Sequence, residues 1–212
     1  MDGTTRRERK KHEVRERLLE AAKDLFAVED AAAVPIERIA EAADVSRATF
    51  FNYFPSKGAL LDELARRMQA RLHRYLEDVR RQEAPLDRAL AHWFSLSVAT
   101  IRRSEALSRV LFARAFAGSE ESATRAAEMA EVHRSYGALL RDAAARGEIP
   151  EDADVDFLAE MLAGAMTTLL NNWFNDQGYP LEARAEQTAR FLAAAMMPRP
   201  RPTKRGRTTT EE

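Results

Sequence analysis

An all-α fold is predicted by three features of this chain. Its 212 residues include only 8 Gly and 8 Pro. Apolar residues recur every three or four positions and are interrupted by charge, which is the pattern of helices packed on one face. Residues 44–57 read as the turn and second helix of a helix-turn-helix, followed by the cap of the next helix. About nine helices are expected. Residues 11–57 should form a three-helix head, and a long helix should join it to a helical body over 58–197. Residues 1–10 are expected to be a disordered basic arm. The Pro/Arg/Thr-rich stretch 198–212 is expected to be a disordered tail.

The first helix should run over 11–28, where Val14, Leu18, Leu19, Ala22, Leu25 and Phe26 form one stripe, and end at Glu29-Asp30. The second places Ile36, Ile39, Ala40 and Ala43 on one face. Pro35 suits its first helical position, where a missing donor costs nothing. The third begins after Ser46, whose side-chain oxygen can accept from an orphan amide of the first turn. Pro55 stops it, and Ser56 can cap the next. The head core is predicted as Leu18, Leu25, Phe26, Ile36, Ile39, Val45, Phe50 and Phe54.

The fourth helix, over 56–83, would span ~40 Å and link head to body. Further helices are expected over 86–101, 104–117, 120–146, from Asp152 or Asp154 to 176, and over 181–197. Gly118-Ser119, Gly147 and residues 177–180 supply the breaks.

Composition narrows the function classes. With 45% hydrophobic residues the chain can bury a sizeable core, and no window approaches the ~18 unbroken apolar residues of a membrane span. The absence of Cys excludes disulfides and thiolate metal sites. The N-terminus has no apolar secretory core, so a cytoplasmic location is expected. Net charge is −1, yet the first 17 residues carry seven basic side chains against four acidic ones. That distribution suits local contact with a polyanion.

The third helix is about two turns long, too short to be stable alone, yet it carries three rings, a hydroxyl, an amide and an Arg. No acid occurs between Val45 and Leu61. Phe50 and Phe54 are four apart and share the core face. Arg47, Ala48, Phe51 and Asn52 are left outward. Arg47 can pair bidentately with guanine and Asn52 with adenine, while Phe51 can pack on a thymine methyl. Tyr53 and Lys57 lie at the rim, suited to phosphate. The surface points to the groove of double-stranded DNA.

Three segments carry a family resemblance: Leu25-Phe26-Ala27, the run 36–41, and the run 45–57. Together they closely resemble the DNA-binding domain of TetR/AcrR-family bacterial transcriptional regulators, over roughly residues 12–65. The resemblance implies a homeodomain-like head on an all-helical homodimer. It implies a repressor bound to a palindromic operator (nucleoid-associated when bound) and released by a small-molecule effector. By resemblance Ser46, Arg47, Ala48, Thr49, Phe51, Asn52, Tyr53 and Lys57 form the DNA-binding set, with Thr49, Tyr53 and Lys57 at backbone-contact positions. This chain departs from the family at Asp30 and Asp44, where Gly is frequent, and at Val34-Pro35, where a Thr pair is frequent. The latter change removes a hydroxyl from the start of the second helix.

In the body, Trp93, Phe112, Phe116, Met129, His133, Tyr136, Met166, Asn172 and Trp173 are candidates to line a pocket for an apolar or aromatic effector. Small residues such as Ala159, Ala163, Gly164, Ala193 and Ala194 mark helices 154–176 and 181–197 as faces for close approach. A four-helix dimer interface is expected there. His12, His73, His92 and His133 are scattered, and no zinc, nucleophile-elbow or phosphate-loop motif occurs, so no catalytic, metal or cofactor role is expected. The competing reading is a helical enzyme or ligand-binding module that keeps the head only for architecture.

Overall fold

The computed structural model describes residues 6–116 and 122–197, the side chains of Arg7, 113–116 and 122–129 excepted. Among the described residues the fold is all-helical. The helices are α1 (Arg6–Val28), α2 (Ile36–Ala42), α3 (Arg47–Tyr53), α4 (Lys57–Arg81), α5 (Leu86–Arg102), α6 (Glu105–Phe116), α7 (Ser122–Ala145), α8 (Val155–Asn175) and α9 (Leu181–Met196). Helix α1 begins at Arg6, so half of the expected arm is helical. Residues 1–5, the break at Gly118-Ser119 and the tail 198–212 lie outside the described residues.

Side-chain caps set several boundaries. Ser46 accepts from the Thr49 amide, Ser56 from the Ala59 amide, and Asp154 from the amides of Asp156 and Phe157. Pro35 stands at the N-cap of α2, one residue before the expected position, and gives no side-chain bond. Gly147 closes α7 with φ +75°, its amide on Ala144 and the next amide on Ala143.

Among the described residues there are two apolar cores. The head core joins Leu18, Ala22 and Phe26 of α1 to Ile39 of α2, Phe50 of α3 and the following Phe54. Val34 belongs to it with 0% exposure, so the position where a hydroxyl is frequent is an internal apolar contact here. Leu25, Ile36 and Val45, expected inside, pack against the cluster half-buried. The body core joins Leu90, Trp93 and Phe94 of α5 to Tyr136, Leu139 and Leu140 of α7, Leu162 and Trp173 of α8, and Ala189 and Leu192 of α9.

Two helices belong to both layers. The first turns of α4 give Leu60, Leu61 and Leu64 to the head core, and its last turns give Leu76 and Val79 to the body core. At 25 residues, α4 is ~37 Å long. Helix α6 sends Leu107 and Leu111 into the head core, while Phe112 meets the Phe174 ring of α8 at 5.3 Å. The head core therefore does not close at residue 57, but includes the start of α4 and one face of α6.

Arg67 ties α4 to α1 through bonds of 2.5 and 2.6 Å to Glu16, and also bonds Glu63 of its own helix at 3.0 Å. The hydrogen bond with Arg67 holds the Glu16 carboxyl below its ordinary range.

Candidate nucleic-acid interface

The turn into α3 is built by Asp44. Its φ of +54° lies in the left-handed region. Its amide donates to Glu41 at 2.9 Å and the Val45 amide donates to Ala40 at 2.9 Å. This is the paired closure of a Schellman motif, with Asp where Gly is the usual residue. Asp30 achieves a turn differently: its carboxylate accepts from the Ala32 amide at 2.9 Å, and it needs no left-handed geometry.

Helix α3 has 7 residues and cannot hold itself. Its anchors are Phe50, 0% exposed, and Phe54, 2% exposed, with rings 6.0 Å apart. Burying each ring contributes about 1.5–3 kcal/mol, which exceeds anything the isolated helix gains from propensity. The Ser46 oxygen sits 3.0 Å from the Thr49 amide and 2.8 Å from its hydroxyl. These anchors and caps leave Ser46, Arg47, Ala48, Phe51 and Asn52 exposed on one side, with Thr49 and Tyr53 half-buried beside them. Phe51 is 41% exposed, an apolar ring left in solvent beside the buried Phe50 and Phe54.

Arg47 is not free on this surface. Its Nε lies 3.0 Å from Glu37 of α2, and its guanidinium sits 5.6 Å from the Phe51 ring centre. The stretch after Val45 is acid-free in sequence, but α2 brings Glu37 and Glu41 around the same hollow as Ser46 and Arg47. Sequence reasoning missed Glu37. The available signal was its place in the first turn of α2 with a second acid, Glu41, four residues on along the same side.

Lys57 also differs from its expected place at the rim. Its ammonium donates to the carbonyls of Ala31 at 2.7 Å, Ala32 at 3.1 Å and Val34 at 2.8 Å. All three of its protons are engaged by the loop between α1 and α2. The first residue of α4 thus holds the loop that leads into α2.

The pocket candidates of the body fall into separate places. Trp93 and Tyr136 are buried edge to face, ring centres 6.0 Å apart. Burial pushes the Tyr136 hydroxyl up to about 12, opposed by the nearby Trp93 indole. Trp173 is buried beneath the Arg109 guanidinium, 4.4 Å from its ring centre. His133 and Met166 are half-buried, and Asn172 is exposed, so it does not join an interior lining. Phe112 is buried against Phe174. The side chains of Phe116 and Met129 lie outside the described residues. The indole nitrogens of Trp93 and Trp173 are buried with no well-aligned acceptor among the described residues. Among those residues no helix is long and apolar enough to cross a membrane, and no three His, Asp or Glu stand close enough to hold a metal.

Residues 18–64 match the family model described as bacterial regulatory proteins, tetR family. None of the curated proteins compared by sequence matches this chain. Among solved structures, the chain is similar to the Thermus thermophilus FadR, a TetR-family transcriptional repressor solved with lauroyl-CoA. The identity is 26% over 91% of this chain and 100% of that one, with a TM-score of 0.67. It is also similar to SmeT, the repressor of the Stenotrophomonas maltophilia multidrug efflux pump SmeDEF, at 20% identity over 87% and 90% of the two chains, TM-score 0.69. A third is the Bacillus subtilis FadR solved with stearoyl-CoA, at 21% identity over 85% and 98%, TM-score 0.67.

Proposed function

We propose that this chain, whose residues 18–64 match the tetR-family model and whose fold is that of TetR-family regulators, is a transcriptional regulator that works as a homodimeric repressor released from a palindromic operator by a small molecule. The observation that carries this reading is the division of α3: Phe50 and Phe54 buried, Arg47, Ala48, Phe51 and Asn52 exposed together. In this reading Arg47 and Asn52 read base edges, Phe51 meets a thymine methyl, and Ser46, Thr49 and Tyr53 contact the backbone. Lys57 contributes by fixing the loop ahead of α2.

Two copies meet through α8 and α9. Phe157 and Met161 of α8 and Phe191 of α9 are large apolar side chains left 52%, 44% and 69% exposed. Gly164 continues the exposed face of α8, and a Cβ built there meets nothing within 4 Å of this chain. Glycine inside a helix costs about 0.5–1 kcal/mol relative to Ala, and packing within the chain gives no return for it. Close approach of a second helix does.

The effector site lies in the body. Among the described residues the buried indole N–H of Trp173 has no aligned acceptor, one that a ligand or water can supply. Similar proteins solved with lauroyl-CoA, stearoyl-CoA and triclosan support an effector with a substantial apolar part. Helices α4 and α6 transmit its binding, because α4 contributes to both cores and α6 joins the head core while its Phe112 packs on Phe174 of α8. Movement of either shifts the heads relative to one another, and DNA affinity falls by the difference in effector affinity between the two states.

Selection of random duplex DNA on the purified protein tests the reading. A palindromic motif with half-sites ~34–36 Å apart is expected, one helical turn for two recognition helices. Enrichment of no motif would count against sequence-specific regulation.

A further inference from the structure

A cavity of about 300 Å³ lies where the head, the linking helix and α6 meet. None of Trp93, Tyr136 and Trp173 lines it. Its apolar wall includes Leu19 of α1, Leu64 and Met68 of α4, and Leu111 of α6. Its polar edge combines Arg71 of α4 with Arg103 and Ser104 of the turn between α5 and α6.

The polar edge is incompletely satisfied. Of the other cations there, Arg67 is held by Glu16 and Glu63, and Lys23 by Glu20. Among the described residues, the side chains of Arg71 and Arg103 have neither an ion pair nor a hydrogen bond, although Arg71 is half-buried. A half-buried guanidinium without a partner is uncommon, because five donors and a charge lose water and gain nothing in return. The Ser104 hydroxyl is likewise buried with no partner. One unpaired acid, Asp24, lines the same space, so two free cations face one free carboxylate.

We infer that this cavity is a second small-molecule site, distinct from the body pocket, for an amphipathic organic anion. Its apolar part lies along Leu19, Leu64, Met68 and Leu111, and its carboxylate is taken by Arg71, Arg103 and the Ser104 hydroxyl. A planar guanidinium is suited to such a head group, since it binds a carboxylate through two parallel N–H bonds. The volume is at the lower end of small-molecule sites. Occupancy would brace α1, α4 and α6 in a single relative arrangement. The site is therefore coupled to the head, which rests on the regulatory reading above.

The test uses the full chain with decanoate as probe and decanol as its uncharged counterpart, both well below their self-association range. Calorimetry should show one decanoate per chain binding more tightly than decanol. In Arg71→Gln/Arg103→Gln the decanoate affinity should fall about tenfold or more, with decanol unchanged. Hydrogen exchange should show protection rising over residues 19–27 and 104–111. Equal loss of both probes, or protection confined to α5, α7 and α8, overturns the site. Decanoate bound at the cavity with no change in affinity for a selected duplex overturns the coupling. Decanoate binding is read without DNA, so a chain that selects no motif refutes the regulator reading and leaves the site standing.

Discussion

The Arg47 Nε lies 3.0 Å from a carboxylate oxygen of Glu37, so the side chain best placed to read a base is held by an acid of the preceding helix. Both partners are more than half exposed, 65% and 56%. An ion pair in that setting contributes about 0.2–1 kcal/mol, little enough for a guanine edge or a phosphate to displace it. In the proposed complex Glu37 would then be left as an uncompensated negative charge at the start of α2. Glu37→Gln should raise affinity for all duplexes alike, by up to about fivefold at low salt, with the gain shrinking as salt rises. Fluorescence anisotropy at two salt concentrations reads this directly. A fall in affinity, or an altered base preference, would mean that Glu37 instead orients Arg47 for its base.

Lys57 gives a sharper division between two roles. Its three bonds to Ala31, Ala32 and Val34 tie the first turn of α4 to the loop before α2. Lys57→Met should cost about 2 kcal/mol of stability, because charge-assisted bonds vanish and partly buried carbonyls are left without a donor. Denaturant unfolding measures this. The salt dependence of DNA binding should stay as in the parent chain. A slope reduced by ~1 with stability intact would make Lys57 a phosphate contact after all.

Asp44 carries a cost that glycine removes. Left-handed geometry costs a residue with a Cβ roughly 1–2 kcal/mol, and Asp recovers part of this through its short polar side chain. Its ion pair with Arg17, at 3.6 Å, leaves the carboxylate 99% exposed and offsets little. Asp44→Gly should therefore stabilise the chain by about 0.5–1 kcal/mol and raise the Tm by ~1–4 °C. Thermal unfolding that shows no gain would indicate that Asp44 makes a favourable contact outside the backbone argument.

The dimer face makes its own prediction. Phe157→Asp with Phe191→Asp should leave the helical circular dichroism unchanged, since both side chains are already in solvent. Sedimentation should show the parent chain as a dimer and the variant as a monomer. A parent chain that sediments as a monomer across the micromolar range would remove α8 and α9 as the interface.

What the sequence made legible was local. The Ser46 and Ser56 caps, the short α3 and the inward pair Phe50 and Phe54 follow from chemistry within one or two turns, and the structure has all of them. The departures involve contacts far apart in sequence. Lys57 meets carbonyls 23 to 26 residues away. Glu37 reaches Arg47 only because the turn at Asp44 folds α2 over the start of α3. The sequence marked 104–117 as a helix but not what it packs on, and Leu107 and Leu111 belong to the head core. Val34 reads as a missing hydroxyl in sequence, whereas in space it is core. Periodicity identifies a buried face without identifying what covers it.

The most direct test of the central claim, that the outward face of α3 reads base pairs, is a base-by-base substitution scan of the selected half-site against the parent chain and Arg47→Ala. Arg47→Ala should cost ~1–3 kcal/mol on the parent half-site and erase the preference at one position while leaving the others as they were. A uniform loss across all positions, with every preference retained, would contradict it.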